Sequence, residues 1–421
     1  MREPTIPPNQ PIAAVRASAA GSGVGWRTVV VALFLLTLGA VLATGEGGGQ
    51  LGLLWLIGAG LGIALYHSAF GFAAGFRSVL GEARSVGLRA QLLLLGLSLL
   101  LFYPALEAGQ AFGLPVRGFV FPLGLELLVG AFLFGIGMQW AGGCASGTLY
   151  ATGGGSPRML LTLLCFVGGA TLAAFAHPLW ADLPRLPAVS LPASFGLWPA
   201  LAVQLGLLAA LWLWLAGRER RAHGTVGSLW RNPQASLWRG RWPLGMGAVV
   251  LAVLSFATLL VAGRPWGITQ AFALWGAWGV EASGLDDPAF WPYWEVATRA
   301  ELLHRPLFAD TTSVMDLGLA VGALLAAGLA GRFRPDWRLS PDALAGAVLG
   351  GLLLGFGAVL ATGCNIGAYL SGVASGSLHG WLWLAAALPG NAVGLYLRAW
   401  PRPAERRAGA APGWLGAGGT A

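Results

Sequence analysis

The stretch GAFLFGIGMQWAGGCASG, residues 130–147, and its echo GGLLLGFGAVLATGCNIG, residues 350–367, decide how this chain is read. An offset of 220 residues superimposes Gly143-Cys144-Ala145-Ser146-Gly147 on Gly363-Cys364-Asn365-Ile366-Gly367. The same offset pairs Gly130 with Gly350, Gly135 with Gly355, Gly137 with Gly357 and Gly147 with Gly367. Each cysteine therefore belongs to one copy of a duplicated unit, where a long apolar run breaks into small and polar residues.

Working outward, 56% of the 421 residues are hydrophobic and 10% charged. The apolar residues come in runs of about 20, the length that crosses a bilayer core as a helix. Lipid offers no partner to the backbone, and the runs are continuous rather than alternating, so helices are the expected spanning form. The fold class is an all-α integral membrane protein, a polytopic bundle of about ten segments. Spans are placed near 27–44, 51–73, 88–107, 119–140, 158–178, 195–216, 244–262, 312–331, 341–361 and 380–398, within a transmembrane domain of 26–401. Residues 1–25, rich in proline, alanine and serine, are expected to be a disordered tail and 402–421 a flexible one.

The net charge of +8 comes from arginine alone, and its placement matters more than its sum. Arg77, Arg84 and Arg89 fall in one loop region, Arg218 to Arg241 in another, Arg332, Arg334 and Arg338 in a third, and Arg398, Arg402, Arg406 and Arg407 at the end. An acidic segment with Glu281, Asp286, Asp287, Glu295, Glu301 and Asp310 alternates with them. The positive-inside rule puts both termini in the cytoplasm and residues 263–311 outside. Topology thus accounts for the arginines, and no nucleic-acid partner is expected.

If the copies run over about 51–178 and 244–398, five spans separate their starts, and an odd number makes them inverted. Inverted repeats place a substrate site near the midplane where the copies meet. Gly71-Phe72-Ala73-Ala74-Gly75-Phe76 corresponds more weakly to Gly267-Ile268-Thr269-Gln270-Ala271-Phe272. Each copy is then expected to hold two partly penetrating, re-entrant segments at the centre, one near 66–78 or 264–283 and one after the cysteine.

At the motifs, Gly143, Gly147, Gly363 and Gly367 let the chain turn tightly and admit a ligand or another helix. Backbone broken inside the hydrocarbon region must line a protein-enclosed or wet cavity. The restarting helices point free N–H groups at it, which favours an anion. A thiol is a weak donor and a soft, polarizable acceptor, better matched to sulfur than to oxygen. Ser146, Asn365, Thr148 and Asn391 add neutral donors, which suit a site that must release what it binds; interhelical hydrogen bonding is their bland reading. Cys165 is a packing residue, because Ala385 stands at its repeat position. Neither a disulfide framework nor a metal site is expected from three scattered cysteines without close histidines, and no cofactor is called for. Glu126, an acid within a predicted span, and His67 are secondary candidates.

These paired Gly-Cys-x-x-Gly elements, with Gly263-Arg264-Pro265-Trp266-Gly267 and Thr312-Ser313-Val314-Met315 ahead of an apolar span, resemble the YeeE/YedE family of bacterial membrane proteins over roughly residues 50–400. The resemblance implies an hourglass of inverted halves in the inner membrane, in which Cys144 and Cys364 pass a thiosulfate ion along by S–H···S contacts. It also implies a TusA-like cytoplasmic sulfur carrier as partner. Better-studied members carry a further cysteine in the early segment, which Gly71-Phe72-Ala73-Ala74 lacks here. Two other functions use the same residues: a membrane thiol enzyme exchanging persulfides or disulfides, and a scaffold for a sulfur carrier.

Overall fold

The computed structural model describes residues 23–399. The tail expected over 402–421, and all but the last three residues of that over 1–25, lie outside the described residues.

Helix α1 (Trp26–Ser68) folds back on itself at Gly47 and Gly48, where the backbone leaves helical geometry. There follow α2 (Phe72–Glu82), α3 (Val86–Ala108), α4 (Leu125–Ala141), α5 (Ala145–Gly153) and α6 (Pro157–Phe175). Then come α7 (Leu191–Phe195), α8 (Leu197–His223), α9 (Leu244–Ala262), α10 (Thr269–Ser283), α11 (Ala297–Leu303), α12 (Thr311–Leu329) and α13 (Pro341–Leu360). A π-helical turn at Asn365–Leu370 runs into α14 (Ser371–Ala374), and α15 (Leu378–Ala399) closes the described chain. Sheet is confined to two ribbons of two-residue strands, β1 (Gln110–Ala111) with β2 (Leu114–Pro115) and β3 (Leu123–Gly124) with β4 (Arg185–Leu186).

Local chemistry sets the boundaries. Ser156, Asp310 and Ser340 accept from the backbone N–H three residues on, and Pro157 and Pro341 occupy the first helical turn where no N–H is needed. The span expected to reach residue 73 stops at Ser68 because Ala69 adopts a left-handed conformation, φ 48°. The span expected from 119 starts at Leu125, because Leu123 and Gly124 pair with β4 instead. Among the described residues, eight helical stretches are long and apolar enough to cross a membrane. The fold in α1 divides one of these stretches into two arms, and α15, a 22-residue helix in the span expected over 380–398, is not among the eight.

Two faces can be told apart. His67 and Trp242, Gly25 and Gly328, and Ser85 and Glu219 meet at an arginine-rich face. Gln50 and Val261, Arg117 and Gly263, and Leu125 and Pro184 meet at the opposite one. The bundle obeys an exchange rule: swapping each element of the first copy for its counterpart turns one contact into another that is present. The pair α1 with α12 becomes α9 with α3, α6 with α13 becomes α15 with α4, and α10 with α6 becomes α2 with α15. On the axis, α4 meets α13 and the second arm of α1 meets α9. Because five passes separate the second arm of α1 from α9, the two copies cross in opposite senses.

The glycine pairs in the sequence owe their register to this axis. A Cβ on Gly130 would lie 2.5 Å from Ala361 N and 2.7 Å from the Gly357 carbonyl, and one on Gly357 would lie 2.6 Å from the Gly130 carbonyl. Gly137 meets Gly350 in the symmetry-related crossing. In lipid, where apolar burial does not drive helices together, such close backbone contact is what holds them.

Candidate functional site

Helices α4 and α13 both stop inside the bundle, and the chain restarts after three residues as α5 and after four as the π turn with α14. The stops match. Gly142 and Thr362 are both left-handed, φ 83° and 56°, and Cys144 and Cys364 are both extended N-caps, φ −98° and −97°. A β-carbon is tolerated at Thr362 but not favoured there. Gly363 has φ 150°, open only to glycine, and its carbonyl accepts from Trp383 Nε1 at 3.2 Å.

Both thiols are buried, at 1% and 0% exposure. Helix α5 packs on the π turn, so the two segments that each cysteine caps are in contact. Cys144 Sγ lies 3.4 Å from Ser146 Oγ, and Cys364 Sγ accepts from Ile366 N at 3.4 Å. A Cβ on Gly147 would sit 3.5 Å from Cys144 Sγ, and one on Gly367 would sit 3.9 Å from Gly267 Cα. The segment leading into α10 therefore reaches the second motif, and Ser371 Oγ donates to the Trp266 carbonyl at 2.7 Å.

The copies differ in one turn. The Cys144 carbonyl accepts from both the N–H and the hydroxyl of Thr148, each at 2.8 Å, an ordinary α turn. The Cys364 carbonyl is shared between Ala368 N at 2.9 Å and Tyr369 N at 3.3 Å, which makes the π turn. Such single π turns recur at functional sites. Here Asn365, fully buried, uses neither its amide N nor its O, and Trp266 Nε1 and Tyr369 OH are likewise buried without partners. Buried polar groups are ordinarily satisfied, so an unspent amide next in the chain to a buried thiol marks Asn365 as a candidate ligand contact.

The structure brings Cys144, Gly143, Ser146, Gly147, Cys364, Gly363, Asn365 and Gly367 into one buried region. It separates the others. Asn391 is spent on Gln139 and the Ala387 carbonyl. Cys165 packs on α13 at Gly351. Glu126 lies in the first turn of α4, 3.9 Å from Arg185 Nε, and His67 rests against Trp242 at the arginine-rich face. In the early segment, the position without a cysteine holds Phe70 and Phe72, both buried, edge to face at 5.7 Å.

Two residues were passed over. Asp316 on α12 is fully buried with neither carboxylate oxygen bonded, and Arg264 donates to Thr312 Oγ1 at 2.9 Å and to Gln270 Oε1 at 3.3 Å. Arg264, Gly267, Thr312 and Met315 line one narrow crevice beside the second motif. An acid inside the span predicted over 312–331 was a readable signal for Asp316.

A family model described as sulphur transport matches residues 67–393. The thiosulfate transporter TsuA of Spirochaeta thermophila is 29% identical over 353 residues, covering 80% of this chain and 95% of that protein. The thiosulfate transporter TsuA of Escherichia coli is 25% identical over 358 residues, covering 80% and 91%. The probable transporter YedE of Salmonella typhimurium is 29% identical over 150 residues, 36% of each chain.

Proposed function

The chain belongs to the sulphur-transport family, and from that premise we propose that it carries thiosulfate, or a closely related small sulfur-containing anion, inward through the constriction at Cys144 and Cys364. The observation that carries the reading is the pair of buried thiols in matching N-cap positions, with unspent neutral donors beside Cys364. The likeness to two proteins named thiosulfate transporters supports the choice of passenger.

The chemistry follows from the groups present. An anion entering a dry constriction gives up hydration and must find donors in its place. The N-termini of α5 and the π turn supply positive potential without a full buried charge. Asn365, Trp266 and Tyr369 offer N–H and O–H groups, and each thiol offers a weak S–H donor and a soft acceptor matched to sulfane sulfur. Ser146 steadies Cys144. Gly143, Gly147, Gly363 and Gly367 keep side chains out of the narrow passage. Because every donor at the constriction is neutral, the ion is held loosely enough to leave. No bond is made or broken.

The arms of the transporter are the inverted copies over about 51–178 and 244–398. The arginine-rich face is read as cytoplasmic by the positive-inside rule, with both termini inside, and the proposed setting is the inner membrane. A TusA-like carrier on that face would take the sulfur onward.

The test is uptake of radiolabelled thiosulfate by cells lacking other routes, at equal membrane expression, for wild type, Cys144→Ala and Cys364→Ala. Loss in either variant is expected. Undiminished uptake in both overturns the reading.

A further inference from the structure

Three guanidiniums converge on the C-terminal end of α4. Arg77 of α2 donates from Nε to Gln139 Oε1 at 2.9 Å, Arg398 of α15 donates from Nη1 to the Gln139 carbonyl at 2.9 Å, and Arg158 of α6 donates from Nη2 to the Trp140 carbonyl at 3.1 Å. Gln139 is fully buried and donates from Nε2 to Asn391 Oδ1 at 2.6 Å and to the Ala73 carbonyl at 3.2 Å. Four helices, distant in sequence, are thus tied into one polar node.

Capping explains part of this. The last carbonyls of a helix attract cations, but they carry only about half an elementary charge between them, against two full positive charges on Arg77 and Arg158 alone. Glu82, the acid whose field reaches Arg77, is exposed and stands 4.0 Å from Arg84. Two N–H groups of the node, Arg77 Nη2 and Arg158 Nε, are buried and have no partner. Surplus positive charge with idle, buried donors calls for an anion, and the planar guanidinium fork fits an oxyanion.

The location supports a specific one. Arg158 Nη2 lies 3.5 Å from where a Cβ on Gly142 would stand, so its guanidinium borders the turn that precedes Cys144. That turn is half-buried, on the arginine-rich side of the thiols. We propose that Arg77, Arg158 and Arg398 form a second anion site, for a small dianionic oxyanion such as thiosulfate or sulfate, where the ion rests after it has passed Cys144. The proposal builds on the transport reading above. Its floor, Gln139 and Asn391, is fully buried, which favours a soluble oxyanion over a lipid headgroup.

Sulfate tests the site separately from the thiols, since it offers them no sulfane sulfur. The measurement is thermal unfolding of the purified full chain in neutral detergent, with sodium sulfate or with sodium chloride at equal ionic strength. Binding to the folded state raises the midpoint as ligand exceeds its Kd. Sulfate is expected to stabilise wild type and Cys144→Ala/Cys364→Ala alike. Arg77→Gln/Arg158→Gln is expected to need at least about tenfold more sulfate for the same shift, with Arg77→Lys/Arg158→Lys in between. If the double glutamine variant does not unfold cooperatively, Arg158→Gln, which gives up a single main-chain contact, carries the comparison. An undiminished sulfate shift in the glutamine variants overturns the site. So does stabilisation by short-chain phosphatidylglycerol with none by sulfate, which would make the node a headgroup site. Loss of uptake in the cysteine variants with an unchanged sulfate shift in the arginine variants leaves the transport reading standing and removes this one.

Discussion

Replacing Gly357 by alanine tests the crossing on which both cysteine turns hang. The new Cβ would sit 2.6 Å from the Gly130 carbonyl and 2.7 Å from Phe134 N, whereas ordinary contact starts at 3.4 Å. Both obstacles are main chain, which cannot rotate away, so α4 and α13 must part by about 0.8 Å, a displacement read from those two distances. Overpacking of this kind costs roughly 1–3 kcal/mol, against a gain of about 1 kcal/mol from better helix propensity. The net expectation is a lower unfolding midpoint, by roughly 2 °C at the upper end of that cost. Gly130→Ala should behave alike, because it meets the same neighbours from the other side. Gly206→Ala and Gly217→Ala on α8 are the controls: nothing lies within 4 Å of either added carbon, so propensity alone acts and the midpoint should hold or rise. Intrinsic tryptophan fluorescence during a thermal ramp reads all four, and thiosulfate uptake should fall in the first two, since α4 and α13 end just ahead of Cys144 and Cys364. Equal midpoints across the four variants would refute the argument.

Three further expectations follow from other parts of the molecule. Asn365→Leu removes an amide buried without partners, so the midpoint should stay or rise while uptake falls; a destabilised variant with full uptake would make the residue structural. Glu219 and Arg89 form a 3.3 Å pair with side chains 3% and 5% exposed, so Glu219→Gln should cost about 3–5 kcal/mol, and Glu219→Gln/Arg89→Gln should recover part of it in the same thermal assay. His177, against Trp180 and Tyr293, is held below its usual value of 6.5 by burial first and by Arg299 and Arg185 second, with Asp182 opposing. Below about pH 6.5 the unfolded chain takes up a proton that the folded chain resists, so stability should fall as pH drops from 7.5 to 5.5, and His177→Gln should show a shallower fall.

The passes, the re-entrant pieces and the cysteine pair were legible because each is written locally: apolar run length, a glycine-flanked break, a repeat offset. What the glycines at 130, 137, 350 and 357 do was not, since their purpose lies in a helix 220 residues away. Asp316 is legible as an acid in an apolar span, whereas Glu126, equally acidic by sequence, is carried by the ribbon of β3 and β4 to an ion pair at the N-terminal end of α4. The arginines illustrate the limit best. Counting them gives a membrane orientation, and nothing in that count distinguishes Arg84, which stays outside, from Arg77, which turns inward to Gln139. The π turn also has no local signature, because Gly-Cys-Asn-Ile-Gly and Gly-Cys-Ala-Ser-Gly read alike until Tyr369 reaches back to the Cys364 carbonyl.

Helix α8 lies between the two copies in the sequence; it packs on α3, and its Gln204 accepts from Trp381 Nε1 of α15 at 2.9 Å. Its role is one of parity. Without that single odd pass, a second copy of the same sequence would enter the bilayer facing the same way as the first, and contacts that interchange between the two copies could not form.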